Sequence, residues 1–245
     1  MNARGWFVFV FLGLAALHGC VGTPGRPVSV PLTLALEGRE ATTSLGWTVR
    51  LEAAALRCAA VLVRDAAAPS LARLEALLVP RARAHGGHGG FDETVLAAWA
   101  GPEVLVLGEE RRDLWIEGRA GTTDRLAVIL GGATSGATDP LRDGDLRVVG
   151  TAVRGETSVR FEGGIRLPEA EPERLVEGIP LTGELEDGAA LRVAIDLAQV
   201  LDAVRFDRLA PGAAPAPIDE GSQAALALRL GALAPSAYVA TWSVP

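Results

Sequence analysis

The sequence predicts a mainly β fold: a β-sandwich or open barrel of short antiparallel strands with one or two short helices. Three observations carry that prediction. Short alternating or wholly apolar runs recur from residue 32 to the C-terminus, and Gly, Pro and Asp separate them at hairpin-like distances. Strands do not alternate with long helical segments, which weighs against a doubly wound α/β fold. Hydrophobic residues make up 49% of the chain but aromatics only 5%, so the core is expected to be Leu, Val and Ala.

In order along the chain, "LTLALEG" (32–38) alternates. "GWTVRLEAA" places Trp47, Val49 and Leu51 on one face and Thr48, Arg50 and Glu52 on the other, as in a half-buried strand. "LRCAAVLVRD" is apolar on both faces and reads as a more central strand ending at Asp65. "SLARLEALLVPRARA" (70–84) has leucines at helical spacing, with Ser70 as cap and Pro80 as stop, and also fits a bulged strand. "FDETVLAAWAG" (91–101) reads as a short helix, with Asp92 and Glu93 in the first turn and Gly101-Pro102 ending it.

"EVLVLGE", "RDLWIEG", "DRLAVILGG", "GDLRVVGTAVRG" and "TSVRFEGGIRLP" are strands, the last two joined by a hairpin turning at Arg154-Gly155-Glu156. "GAALRVAIDL" is a further strand with Leu191, Val193, Ile195 and Leu197 inward, and helical turns start at Asp196. "SQAALALRLGAL" is a helix capped by Ser222. "SAYVATWSVP" returns to alternation and reads as a terminal strand docked into a sheet.

The N-terminus reads "MNARGWFVFVFLGLAALHGCVG". Arg4 precedes an apolar run from Trp6 to Leu17, too short for a comfortable membrane span and suited to a signal-peptide core. Leu17-His18-Gly19-Cys20 resembles the bacterial lipobox, in which an apolar residue and two small residues precede a cysteine. Leu17, Gly19 and Cys20 match; His18 departs, because that position usually holds a smaller side chain. The resemblance implies that Cys20 becomes the first mature residue and carries lipid. An ordinary cleaved signal and an uncleaved anchor are the alternatives. The expected organisation is a signal peptide over 1–19, a lipidated N-terminus and Gly/Pro-rich tether over 20–30, and a single β-rich domain over 31–245.

The formal net charge is −7, and every basic residue is arginine. That balance argues against a nucleic-acid partner, which needs a basic face. Only Cys20 and Cys58 exist, so a lipidated Cys20 leaves Cys58 without an intramolecular partner. Its setting, "LRCAAVLV", predicts burial as a small hydrophobe.

"ARAHGGHGGFDE" (82–93) holds His85 and His88, the chain's only histidines after His18. Imidazoles at i and i+3 between glycines suit zinc or copper, with Asp92 and Glu93 as weaker ligands. A solvated polar turn is the alternative. "DPLRDGDLR" offers Asp139, Asp143 and Asp145 but lacks the order and closing Glu of a calcium loop, and reads as a turn. No G-x-S-x-G elbow and no phosphate-loop lysine is present.

The run of features is similar to that of exported bacterial lipoproteins of unknown function. The similarity rests on "GWTVRLEAAALRCAAVLV", "AHGGHGG", "GDLRVVGTAVRGETSVRFEGGI" and "QAALALRLGALAPSAYVATW", and it implies a β-rich module of the cell envelope without transferring an activity. The expected function is a membrane-anchored, non-catalytic binding module, binding a transition metal (zinc or copper) through His85 and His88 or a protein partner at a sheet face. A structural or protein-interaction envelope module without metal is the alternative, and a metal-dependent hydrolase stands behind both.

Overall fold

The computed structural model describes residues 25–66, 95–132, 140–141, 144–209 and 215–243. In chain order they form β1 (Pro27–Glu37), β2 (Glu40–Thr42), β3 (Thr48–Asp65), β4 (Val95–Val106), β5 (Glu110–Arg119), β6 (Gly121–Leu130), β7 (Leu146–Arg154), β8 (Thr157–Ile165), β9 (Leu175–Leu185) and β10 (Ala190–Asp196). Helix α1 (Leu197–Leu201), β11 (Ala216–Ile218), α2 (Gln223–Ala232) and β12 (Tyr238–Ser243) complete them.

The doubly apolar run identified in the sequence becomes the spine. β3 pairs with β2 and then β4 along one edge, and with β7 and then β6 along the other. From it the sheet continues as β4-β5-β1-β10-β12 in one direction, β6-β9 in another, and β7-β8-β11 in a third. The expected fold class is correct: the structure is mainly β with few short helices. The pairs β1/β10 and β11/β8 are parallel and the rest antiparallel, so the sheet is mixed.

The sheet curls until β12 lies against β9, but no ladder joins them among the described residues, and it is not a closed barrel. Side chains seal the approach. The Trp242 ring lies over Gly183, and its indole Nε1 donates to Thr123 Oγ1 at 3.1 Å. Inside, Leu32, Leu34, Leu36, Val61, Ile116, Leu126 and Leu191 are buried in one continuous core. Trp47, Phe161 and Phe206 add an aromatic cluster at the β7 end, with ring centroids 5.7 and 4.9 Å apart along the chain of contacts.

Local chemistry explains the smaller elements. Arg154 pairs directly with Thr157, leaving Gly155-Glu156 as the turn, and Gly155 takes φ 58°. Asp196 caps α1 by accepting from Ala198 N at 2.9 Å, and Ser222 caps α2 by accepting from Ala225 N at 3.1 Å.

Two segments differ from expectation, and a third, β9, forms where the sequence reading placed no element. Residues 95–101 form strand, not helix, because the free edge of β3 offers a full ladder, with Val61 opposite Trp99. The Gly101-Pro102 stop signal falls in a β-bulge where the register shifts opposite Cys58 and Ala60, so the missing proline N–H breaks no regular pair. β1 begins at Pro27, inside the stretch 20–30 whose composition reads as a tether, and buries Val28 and Val30. β9 carries Gly178, Pro180 and Gly183, ordinarily turn signals. Two register shifts against β6 absorb them. Residues 70–84 lie outside the described residues.

Candidate interaction face

β5 reads "ERRDLWIEGR". Ile116 is buried and Leu114 packs against the core, so Asp113, Trp115, Glu117 and Arg119 point outward. Trp115 is 54% exposed, the one large aromatic among the exposed apolar side chains of the described residues. Pro31 of β1 stands opposite it. A register shift between Leu32 and Leu34 bulges β5 at Arg112-Asp113 and turns both residues outward beside Thr33.

One end of this face is electrically closed. Arg192 of β10 pairs with Glu37 of β1 and, at 3.2 Å, with Glu110 of β5. Arg112 donates to Glu110 through Nε at 2.8 Å, and Arg111 donates to Glu103 through Nε at 2.6 Å. The Arg112 guanidinium, then that of Arg192, holds the Glu110 carboxyl below the usual carboxylate range, while Glu37 chiefly raises Arg192. A shallow cleft of 480 Å³ beside this network is lined by Ala35, Glu37, Gly108, Glu109, Glu110 and Arg112, among others. Its carboxylates are largely spent on arginine, so it offers little to a ligand.

The middle of the face is different. Asp113 and Glu117 are exposed, and neither has an ion pair among the described residues. Alternation puts them on the same side as Trp115, about 7 Å along the strand on either side of it. The outcome is an aromatic ring between two uncompensated carboxylates.

Two other chemically active groups, Cys58 and Asp145, are internal and committed. Cys58 is 1% exposed, as expected, and burial pushes its thiol up to about 12. Asp145 accepts from Leu167 N at 2.8 Å and faces Arg57 at 3.7 Å, both side chains buried, so it is a structural carboxylate and not a calcium ligand.

The metal expectation is corrected. Among the described residues no group of three or more His, Cys, Asp or Glu could hold a metal ion. They contain no histidine, their cysteine is a buried thiol, and many of their carboxylates are paired with arginine. The described residues therefore provide no ligand set for zinc or copper, and the metal-binding reading is set aside. His85, His88, Asp92 and Glu93 lie outside the described residues, as do Cys20 and the leader. Among the described residues no helix is long and apolar enough to cross a membrane.

Sequence reasoning missed Trp115, Asp113 and Glu117. The signal was present in "RDLWIEG", where the aromatic falls on the same period-2 register as the two carboxylates instead of on the apolar one.

No family model and no curated protein matches the chain. Among solved structures it is similar to MbnP from Methylosinus trichosporium, at 13% sequence identity and a TM-score of 0.38, over 91% of this chain and 100% of that one. At that distance no function passes from one chain to the other.

Proposed function

We propose that this protein is a non-catalytic protein-interaction module of the bacterial envelope, held at a membrane by lipid on Cys20, and that the outer face of β5 and β1 is its docking surface. The observation that carries the reading is Trp115, half exposed on a regular strand in a chain that buries Trp47 fully and Trp99 nearly so. Aromatic anchors of this kind dominate interface energetics. The envelope location is supported by the leader sequence and by the lipobox resemblance at Cys20.

Two experiments test it. A photo-crosslinking residue placed at position 115 in living cells is expected to give one discrete adduct, and the same residue at exposed Val153 none; equal labelling from both would overturn the docking surface. Cys20→Ser is expected to move the protein from the membrane fraction to the soluble one, and retention would sink the lipid anchor.

A further inference from the structure

We infer that the partner of this face presents a cationic side chain, arginine or lysine, which lies on the Trp115 ring between Asp113 and Glu117. The inference rests on the docking surface proposed above and names the chemistry of its occupant. The ring supplies a negative π face, and the two carboxylates supply charge at either edge.

The local arginines do not answer that charge. Arg111 is held by Glu103, Arg112 by Glu110, and Arg192 by Glu37 and Glu110. Arg119 stands two residues beyond Glu117, at the far end of the strand from Asp113. The same chain already uses the pairing internally: the Arg154 guanidinium lies over the Trp47 ring at 4.4 Å from its centroid. Other occupants fit less well. A neutral sugar would stack on Trp115 but leave both carboxylates uncompensated, and an anionic lipid surface would be repelled by them and by the net charge of −7.

The test is calorimetric titration of the full chain, in detergent, with the hexapeptide Gly-Arg-Gly-Arg-Gly-Arg. A Gly-Gln peptide of equal length and a tetramer of N-acetylglucosamine serve as comparisons. The expected result is that the arginine peptide alone binds, that its affinity falls at least tenfold in Trp115→Ala and in Asp113→Asn/Glu117→Gln, and that it weakens with added salt. All three positions are exposed, and circular dichroism checks that the variants remain folded.

No binding of the arginine peptide, equal binding of the glutamine peptide, preference for the sugar, or an affinity unchanged in the double variant would each overturn the inference. So would self-association of the chain that Trp115→Ala abolishes, because the occupant would then be a second copy. The crosslink at position 115 separates the two levels. An adduct that survives Asp113→Asn/Glu117→Gln refutes the cationic partner and leaves the docking surface standing, whereas no adduct at 115 in the unaltered background removes both.

Discussion

Replacing Asp145 by alanine removes the carboxylate from the point where β6 and β7 separate along the same edge of β3. Arg57 is the residue at that fork: its N–H donates to Asp145 O and its carbonyl accepts from Gly131 N, each at 2.8 Å. Its guanidinium donates to Gly132 O at 3.0 Å and stands 3.7 Å from Asp145 Oδ1, with side chains only 4% and 8% exposed. Alanine removes the carboxylate that faces the buried Arg57 guanidinium and deprives Leu167 N of its acceptor. Breaking one side of a buried pair costs about 3–5 kcal/mol, a large share of the roughly 5–15 kcal/mol that holds a domain folded. With a urea slope of about 2–3 kcal/mol/M, the unfolding midpoint should fall by about 1–2 M. Asp145→Asn, which can still accept from Leu167 N, should recover part of the loss. Arg57→Met/Asp145→Leu should recover more, because neither member of the pair is then buried opposite a missing partner. A midpoint shift below about 0.3 M for Asp145→Ala, or a double variant as unstable as the summed single ones, would refute the argument.

Cys58 should resist thiol reagents at pH 8 in the native state and react only on unfolding, since a thiol pushed up to about 12 is almost wholly protonated there. The sign of its linkage follows: between the unfolded value near 9 and the folded one near 12 the unfolded chain releases the proton first, so stability falls as pH rises through that window, and an alkaline urea series that stays flat would contradict the burial. Ser222→Ala should cost about 1 kcal/mol through the lost cap on α2, read as a lower melting temperature; an unchanged one would mean that water replaces the hydroxyl at no cost. Gly183→Ala should destabilise by about 1–3 kcal/mol, because the residue sits at φ 152° and a Cβ would come 2.6 Å from Trp242 Cδ1. A Trp242 fluorescence spectrum indifferent to that substitution would show that the β9–β12 seal is loose.

Much of the fold was legible because the responsible interactions are local. The alternation of Trp47, Val49 and Leu51 against Thr48, Arg50 and Glu52 is the burial pattern observed, and the caps at Asp196 and Ser222 act where side-chain chemistry places them. What was not legible depends on partners distant in sequence. Residues 95–101 carry helical spacing, yet they become strand because β3, some forty residues earlier, presents an unpaired edge. β9 disguises itself with Gly178 and Pro180, which the strand accommodates through two bulges of its own where its register shifts against β6. The site was different. A histidine pair draws attention by residue type, while the outward face of Trp115 was legible in the period it shares with Asp113 and Glu117.

That orientation bears on where function can reside. The inner side of the curled sheet is filled by long apolar side chains, and the gap between β12 and β9 is occupied by the Trp242 ring, so the interior is committed to stability. The outer face is under no such demand. Thr or Arg at position 115 would suit an exposed strand equally well and would leave less apolar surface in water. A tryptophan side chain spans about 150–250 Å², so covering the half that is exposed would release about 2–3 kcal/mol at the usual coefficient. That is close to a hundredfold in affinity from one residue, and it is a gain that the isolated domain cannot collect. The residue is therefore better explained by what covers it than by what it covers, and the carboxylates on both sides of it specify the charge of the group that does so.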